Sequence, residues 1–263
     1  MLIAQVTDIH IQPHASLLKG RIDTYQKLKN TINHLNRFHP VIDLVVITGD
    51  LVETGTREEY ELLNTQLDNL AIPYFVVPGN HDDHDFLRRS LRSSVGYTHT
   101  GPLHFQTQQQ GLNLIGLDTS DQNSPKAEFG AEKQAWFRRA LEDSTTMDTM
   151  IFMHHPPYLT GIKHMDDMGF PSADEEFWSI AKNYPNIMHV ASGHIHRAID
   201  STCHGVPVST GPSCCHSVKL DLCKEMEPCF TLEPPAIRLF KYNDGQLNSF
   251  LSYILPSENI LFK

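Results

Sequence analysis

Short, mainly hydrophobic runs alternate along the chain with longer segments in which hydrophobic residues recur every three or four positions. Runs of this kind are typical of strands buried on both faces, as in parallel sheets. The longer segments have the period of helices that bury one face. The pattern therefore predicts an α/β fold. The strand-like runs cover residues 2–6, 44–47, 74–77, 150–153 and 187–191.

Two helices in the first third of the chain have start signals in addition to their periodicity. Asp23 is placed to cap a helix over 24–38, and Thr56 with Glu59 forms a capping box before the next helix. With the first three strands, these helices predict a βαβαβ unit with right-handed crossovers. Further helices are predicted over 85–92 and 131–141, and from a cap at Ser172 to residue 183.

Shorter strands and two irregular segments are predicted in the rest of the chain. Residues 93–101 are predicted to form a loop, and residues 217–234, which contain two prolines, are predicted to be irregular. A length of 263 residues suits one large α/β domain spanning 1–263. The remaining strands are predicted over 103–107, 113–117, 199–202 and 206–210, and in a hairpin, 236–242 and 246–254, that turns at Asn243-Asp244-Gly245.

Polar residues crowd together directly after each of the five buried runs. In open α/β sheets, ligands bind in the crevice beyond the carboxyl ends of the strands. Five such clusters in one chain therefore predict a shared site. The clusters are Asp8-Ile9-His10, Gly49-Asp50, Gly79-Asn80-His81-Asp82, His154-His155-Pro156-Pro157 and Gly193-His194-Ile195-His196.

Each cluster has an ordinary explanation when it is taken alone. Gly-Asn-His-Asp favours a turn, because Asn and Asp side chains hydrogen-bond their own backbone. An isolated Asp-x-His is usually part of a surface loop. If extended geometry continues past the strands, however, Asp8 and His10 point to the same side and could share a metal ion. The same geometry would place His194 and His196 on one side of their segment.

Composition and charge narrow the classes of function. The chain has 21 basic and 31 acidic residues, which gives a formal charge of −10. This balance argues against a polymeric nucleic-acid partner, because such binding depends on Lys and Arg neutralising phosphates. No secretion signal or membrane-spanning run is recognisable, so a cytoplasmic location without a membrane partner is expected. The five cysteines, all within 203–229, are expected to stay reduced.

Together the clusters offer seven metal donors, namely two carboxylates, four imidazoles and one amide. This set favours borderline ions such as Zn, Mn, Fe or Co over a structural zinc–cysteine site. Seven donors are too many for one such ion, whereas two ions about 3.5–4 Å apart would use them all. The donors are Asp8, His10, Asp50, Asn80, His154, His194 and His196.

These five motifs, in this order, resemble those of the calcineurin-like metallophosphoesterase superfamily. Within it, the chain most resembles bacterial class III cyclic-nucleotide phosphodiesterases and the related glycerophosphodiesterases. The resemblance covers residues 1–216. It implies an α/β sandwich of two mixed β-sheets flanked by helices around the βαβαβ core. It also implies a homodimer or higher homo-oligomer, with residues 203–235 capping the site or joining subunits.

The resemblance also implies how two divalent or trivalent ions would be bound. Asp50 would bridge the ions, and His155 would lie outside the ligand set. Two cations lower the pKa of a bound water and neutralise the charge of a phosphoryl group. One ion would be held by Asp8, His10, Asp50 and His196, and the other by Asp50, Asn80, His154 and His194.

Two further histidines are candidates for contact with substrate. His81 resembles the family residue that protonates or stabilises the departing alkoxide. Its alternative role is to orient Asp50 or another ligand. Asn80 and His216 are also expected to bind substrate, and a structural role for His216 is equally open.

The activity implied is hydrolysis of a small-molecule phosphodiester, with conversion of 3′,5′-cyclic AMP to 5′-AMP as the first candidate. Glycerophosphodiesters or other small diesters and monoesters are the alternative. Tyr158, Phe170 or Phe230 would stack on a base unless they serve packing. A protein of this fold that binds partners without catalysis is an alternative of another class, although every expected donor is present. The cysteines lack CxxC spacing and are expected to be packing residues.

Overall fold

The computed structural model describes residues 1–13, 17–90, 100–170, 173–223 and 227–255. Two mixed β-sheets pack against each other and helices flank them, so the predicted sandwich is confirmed. The predicted loop at 93–101, the end of the helix over 85–92 and the cap at Ser172 lie wholly or partly outside the described residues.

The first sheet contains the predicted βαβαβ unit. Its elements are β1 (Leu2–Val6), α1 (Thr24–Asn36), β2 (Leu44–Thr48), α2 (Arg57–Leu67) and β3 (Tyr74–Val77), followed by the short α3 (His84–Ser90). β1, β2 and β3 run parallel in that order. Asp23 accepts a hydrogen bond from the Gln26 amide at 2.9 Å, and Thr56 and Glu59 form the expected capping box. Both helices therefore begin where the sequence predicts.

The middle of the chain builds the second sheet. Its elements are β4 (Phe105–Gln109), β5 (Leu112–Leu117), α4 (Ala131–Glu142), β6 (Asp148–Met153), α5 (Lys163–Asp166), α6 (Ala173–Ala181), β7 (Ile187–Ser192), β8 (Ile199–Cys203) and β9 (Val206–Thr210). β5, β6, β7 and β9 run parallel, whereas β4 and β8 pair antiparallel at the two edges. The sequence pattern does not predict α5, which is a single turn.

The end of the chain returns to the first sheet. The segment predicted to be irregular contains two short antiparallel strands, β10 (Ser217–Val218) and β11 (Phe230–Thr231). The predicted hairpin follows as β12 (Ala236–Asn243) and β13 (Gln246–Tyr253). β12 pairs antiparallel with β1, so β1 lies between β2 and β12 in the order β13-β12-β1-β2-β3.

The core explains why the central strands are hydrophobic throughout. Successive strand residues point to opposite faces of a sheet. Ile3 and Val46 belong to the cluster between the two sheets, where Phe152 of the second sheet also packs. Their neighbours Ala4 and Val45 belong to the cluster beneath α1 and α2. Both faces are therefore buried. Among the described helices, none has the length and apolar character that crossing a membrane requires.

Candidate metal centre

The five polar clusters come together, as the sequence predicts. The loops after β1 and β2 are joined by two hydrogen bonds, from the Asp8 amide to the Gly49 carbonyl at 3.1 Å and from the His10 amide to the Asp50 carbonyl at 2.9 Å. The loops after β6 and β7 are joined by a bond from the Gly193 amide to the His154 carbonyl at 2.9 Å. The donors are thus held by backbone contacts between neighbouring loops.

Five of the seven predicted donors have left-handed backbone conformations. The expectation that extended geometry continues past β1 and β7 is therefore wrong, because the chain turns sharply at each of these donors. Non-glycine residues in this region typically cost about 1–3 kcal/mol each and persist only where surrounding contacts hold them. The φ angles are 53° at Asp8, 48° at His10, 50° at Asp50, 68° at His194 and 56° at His196.

One group of donors consists of Asp8, His10, Asp50 and His196, whose ligand atoms all lie within 4.8 Å of one another. His10 Nε2 lies 3.2 Å from His196 Nε2 and 3.5 Å from Asp50 Oδ2. His196 Nε2 lies 3.4 Å from Asp8 Oδ1. All four side chains are buried.

A second group surrounds the other side of Asp50. His154 Nε2 lies 3.4 Å from Asp50 Oδ2 and 3.1 Å from Asn80 Oδ1. His194 Nδ1 lies 3.1 Å from Asn80 Oδ1 and 3.3 Å from His154 Nε2. Asp50 Oδ2 is therefore within 3.5 Å of a histidine nitrogen from each group. His194 belongs to this second group, whereas His196 belongs to the first.

Three of the histidines have their second ring nitrogen occupied by an orienting partner. His10 Nδ1 contacts Glu53 Oε2 at 2.7 Å, and His154 Nδ1 contacts the Thr48 carbonyl at 2.8 Å. His196 Nδ1 contacts the His216 carbonyl at 3.3 Å. Metal-binding histidines typically have such partners, which turn the remaining nitrogen toward the ion.

The burial and charge of these donors fit cations. Asp8 Oδ2 is buried and has no hydrogen-bond partner among the described residues. Burial raises the pKa of Asp8 to about 6, which is the response of a carboxylate that needs a positive neighbour. Burial lowers the pKa of His194 to about 3 and that of His196 well below its usual range. Both rings are therefore neutral, which is the form that binds metal ions.

Asp50 and His154 shift each other's pKa in the way that neighbouring opposite charges do. Burial alone would raise the pKa of Asp50, but the adjacent His154 lowers it well below its usual range. Burial alone would lower the pKa of His154, but Asp50 raises it to about 9. The Asp50 carboxylate therefore stabilises a positive charge beside it, and the clustered His and Asp side chains fit two metal ions.

Two motif glycines allow the loops to approach this closely. Gly49 has a φ of +89°, and a Cβ there would lie 2.5 Å from His154 Nδ1. A Cβ at Gly79 would lie 2.2 Å from Asp50 Oδ1. Contacts this short do not occur between real side chains. Each glycine thus lets one loop lie against a donor of another.

His155 adjoins His154 and His194, and one of its ring nitrogens lies within 4.8 Å of a ligand atom of each. Its Nδ1 contacts Thr119 Oγ1 at 2.9 Å, and its Nε2 contacts the Pro125 carbonyl at 3.1 Å. Burial lowers the pKa of His155 well below its usual range. A neutral ring with both nitrogens occupied packs beside the donors instead of joining them.

His81 lies at the edge of the centre with a partly exposed ring. Its backbone amide donates to Asp50 Oδ1 at 2.9 Å, so the orienting contact with Asp50 is made by the backbone and not by the imidazole. The ring Nδ1 contacts the Glu53 carbonyl at 2.7 Å. The ring lines the adjoining cavity.

His216 makes a structural contact with a donor histidine and also lines the cavity. Its carbonyl is the partner of His196 Nδ1, and its ring lies 4.4 Å from the His196 ring between centroids. The ring also lines the cavity, and burial lowers its pKa to about 4. His216 is therefore a neutral group beside the donors.

The cavity beside the donors has a volume of about 300 Å³ and is lined on another side by apolar residues. Of the three aromatic residues considered for base stacking, Phe230 lines it. Tyr158 and Phe170 pack in the core of the second sheet, so the stacking role is wrong for them. The apolar lining consists of Leu18, Met165, Met168, Val218, Pro228 and Phe230.

The cysteines divide into two classes. Cys214 and Cys215 are buried in the core with sulfurs 3.8 Å apart, and Cys203 packs against the second sheet, as expected of packing residues. Cys223 and Cys229 are exposed, so the packing prediction is wrong for these two. Among the described residues, none of the five cysteines forms a disulfide bond.

Sequence reasoning misses two acidic residues that support the donors. Glu53 contacts His10, and the buried Asp82 carboxylate accepts hydrogen bonds from the Gly79 amide at 2.8 Å and the Leu51 amide at 3.1 Å. Asp82 belongs to the motif Gly79-Asn80-His81-Asp82 and Glu53 follows Asp50 by three residues, but neither position indicates which group the carboxylate contacts.

Comparison with known proteins agrees with this arrangement. The calcineurin-like phosphoesterase family matches residues 1–198. The probable glycerophosphodiester phosphodiesterase GpdQ of Arcobacter nitrofigilis is 32% identical, with 97% of this chain and 93% of that protein covered. The 3′,5′-cyclic-nucleotide phosphodiesterase alr5338 of Nostoc sp. is 29% identical, with 97% and 94% covered.

A more distant relative and a solved structure extend the comparison. The 3′,5′-cyclic adenosine monophosphate phosphodiesterase CpdA of Escherichia coli is 26% identical, with 82% of this chain and 77% of that protein covered. A dimetal phosphatase from Danio rerio shares the fold, with a TM-score of 0.64, 14% identity and coverage of 97% and 99%. The chain therefore belongs to the calcineurin-like phosphoesterase family and is a metal-dependent phosphoester hydrolase.

Proposed function

We propose that the protein hydrolyses small phosphodiesters, with 3′,5′-cyclic AMP as the first candidate substrate and 5′-AMP as its product. The observation that carries this proposal is the pair of donor groups that share Asp50, with His81 beside them on the wall of a cavity. A polymeric nucleic acid is a poor candidate, because the chain has a formal charge of −10.

The two donor groups define the proposed ligand sets. Two ions of Fe, Mn, Zn or Co would supply Lewis-acid stabilisation of the phosphoryl group and a water of lowered pKa. Asp50 belongs to both sets, and its position is fixed by the His81 amide. One set is Asp8, His10, Asp50 and His196, and the other is Asp50, Asn80, His154 and His194.

His81 is proposed to assist the departure of the leaving group. An alkoxide is a poor leaving group, so a positioned proton donor contributes to its expulsion. The Glu53 carbonyl accepts from His81 Nδ1, so the doubly protonated ring is the form in which Nε2 can donate a proton to the departing oxygen. Asn80 and His216, which line the same cavity, are proposed to contact the substrate as well.

The apolar side of the cavity supports a nucleotide as substrate. Met165, Met168 and Phe230 offer a surface on which a base would be buried or stacked. Val218 and Phe230 come from the short strand pair β10–β11, so this part of the segment 203–235 acts as a cap over the site. A homodimer joined through the same segment stays a prediction.

Glycerophosphodiesters are the second candidate substrates. Two relatives named GpdQ, at 32% and 27% identity, favour them. A scaffold without catalysis is disfavoured, because all seven donors are retained and lie together. The cavity is lined by apolar residues and also by polar ones, among them Lys19, Glu53 and His164, which could serve as the polar partners that a glycerol group needs.

A kinetic panel tests the proposal. The purified protein would be loaded with Mn²⁺ and its metal content measured, and hydrolysis of bis(p-nitrophenyl) phosphate would establish diesterase activity. Cyclic AMP, cyclic GMP and glycerophosphocholine would then be compared by kcat/KM. We expect cyclic AMP to give the highest value. Protein that holds two ions and cleaves none of these diesters would refute the proposal.

A further inference from the structure

One acidic residue outside the seven donors contacts both the metal centre and the candidate proton donor. Glu53 lies in the loop after β2, and its Oε2 is 2.7 Å from His10 Nδ1. Its backbone carbonyl is 2.7 Å from His81 Nδ1. We propose that Glu53 is a positioning residue that fixes His10 toward the metal centre and His81 toward the substrate. The His81 part of this inference rests on the proposed function.

The side chain of Glu53 determines which nitrogen of His10 faces the donors. A carboxylate accepts the hydrogen bond, so His10 Nδ1 donates it and Nε2 keeps its lone pair. That Nε2 lies 3.5 Å from Asp50 Oδ2. The Glu53 side chain is only 16% exposed, and the Glu53 amide donates to the Ile11 carbonyl at 3.3 Å. The burial of the side chain and this backbone hydrogen bond therefore both hold the Glu53 carboxylate in place.

The backbone of Glu53 does the same for His81. Its carbonyl occupies Nδ1, so the ring presents Nε2 to the cavity. The rings of His10 and His81 meet edge to face, with centroids 4.7 Å apart. Glu53 Oε2 also lies 3.9 Å from His81 Nδ1. A displaced Glu53 loop would consequently move both rings.

Glu53 is also the orienting partner that mutation can test. The partners of His154 and His196 are backbone carbonyls, from Thr48 and His216. Among the described residues, Glu53 is the orienting partner that contacts a donor histidine through its side chain. Losing such a partner typically lowers metal affinity or activity 10–100-fold.

Metal titration separates positioning from a general role in folding. For Glu53→Ala, we expect the dissociation constant of at least one Mn²⁺ ion to rise about 10–100-fold in calorimetric titration of metal-depleted protein. Glu53→Gln keeps an oxygen that accepts from His10 Nδ1, so its Mn²⁺ affinity should stay within about threefold of the parent. Asp148→Ala is the control, because the half-buried Asp148 carboxylate accepts from Tyr242 Oη at 2.9 Å at the start of β6, at the opposite end of that strand from His154. It should lower Tm and leave Mn²⁺ affinity unchanged.

Kinetics at saturating Mn²⁺ test the His81 part. Glu53→Ala removes the carboxylate but keeps the backbone carbonyl that accepts from His81 Nδ1, so kcat for cyclic AMP and kcat for bis(p-nitrophenyl) phosphate should change by the same factor to within about threefold. A loss at least about tenfold larger for cyclic AMP, whose leaving group needs a proton donor, would show that the carbonyl does not hold His81 and would overturn this part.

Three metal-binding outcomes would overturn the His10 part. The first is parental Mn²⁺ affinity in Glu53→Ala, the second is an equal loss of affinity in Glu53→Gln, and the third is an equal loss of affinity in Asp148→Ala. If the parent protein holds two Mn²⁺ ions but cleaves neither diester, the proposed function fails. The titrations would still decide whether Glu53 positions His10.

Discussion

Gly79→Ala is expected to disrupt the metal centre by adding a single methyl group. The new Cβ would lie 2.2 Å from Asp50 Oδ1, 2.3 Å from the Asp50 amide nitrogen and 2.9 Å from Asp50 Cγ. Real Cβ atoms essentially never approach another atom within 3.0 Å. Because one of the three atoms is the backbone amide nitrogen, rotation of the Asp50 side chain cannot relieve the contact, and one loop must move by at least about 0.7 Å.

The expected losses of stability and turnover follow from which group is displaced. Overpacking of this kind costs about 1–3 kcal/mol of unfolding free energy. The displaced group is the carboxylate common to both donor sets, and a misplacement of about 1 Å near the reacting atoms lowers turnover about 100-fold. We therefore expect a moderate loss of stability together with a large loss of metal content and activity.

The assay compares this variant with a matched control. Urea unfolding would give the free energy, mass spectrometry the metal content, and bis(p-nitrophenyl) phosphate the turnover. Gly130→Ala adds a Cβ 2.4 Å from Glu128 Oε1, the movable end of an exposed side chain. As an N-cap change it should cost at most about 1 kcal/mol and leave turnover unchanged. Parental metal content and turnover in Gly79→Ala would refute the reasoning.

Three further substitutions test separate parts of the site. Asp50→Ala should bring metal content after gel filtration close to zero, because Asp50 serves both sets; retention of two ions would contradict the shared position. His81→Ala should keep both ions and lower kcat for cyclic AMP by about 10²–10⁴-fold, and parental turnover would exclude a role in leaving-group departure. Phe230→Ala should raise KM for cyclic AMP by about tenfold, the loss of roughly 1–3 kcal/mol of stacking, without changing KM for glycerophosphocholine. An equal change for both substrates would argue against base stacking.

The convergence of the donors could be predicted from the sequence because strand ends are visible in the hydrophobic pattern. Asp8, Asp50 and Asn80 each follow a buried parallel strand, and the carboxyl ends of such strands meet at one edge of a sheet. The conformation of these residues could not be predicted in the same way. Left-handed geometry at Asp8 and Asp50 depends on tertiary hydrogen bonds between loops, and hydropathy does not report on it.

Two other features could not be predicted from the sequence. They are the pairing of strands that lie far apart in the chain and the side-chain contacts that support the donors. The hairpin of β12 and β13 is evident from its local pattern and its turn, but its pairing with β1 joins residues from opposite ends of the chain. Glu53 follows a recognisable motif, yet nothing in its neighbours shows that its carboxylate reaches His10. Such contacts are specified by packing of whole elements and not by local sequence.

The place of β1 between β2 and β12 has a consequence for the newly synthesised chain. The amino group of Met1 donates to the carbonyl of Tyr242, 241 positions later, and β12 closes the open edge of β1 along its length. The loop that carries Asp8 and His10 follows β1 directly, so the strand that supports these two donors gains its second neighbour only when the residues of β12 have been added to the growing polypeptide.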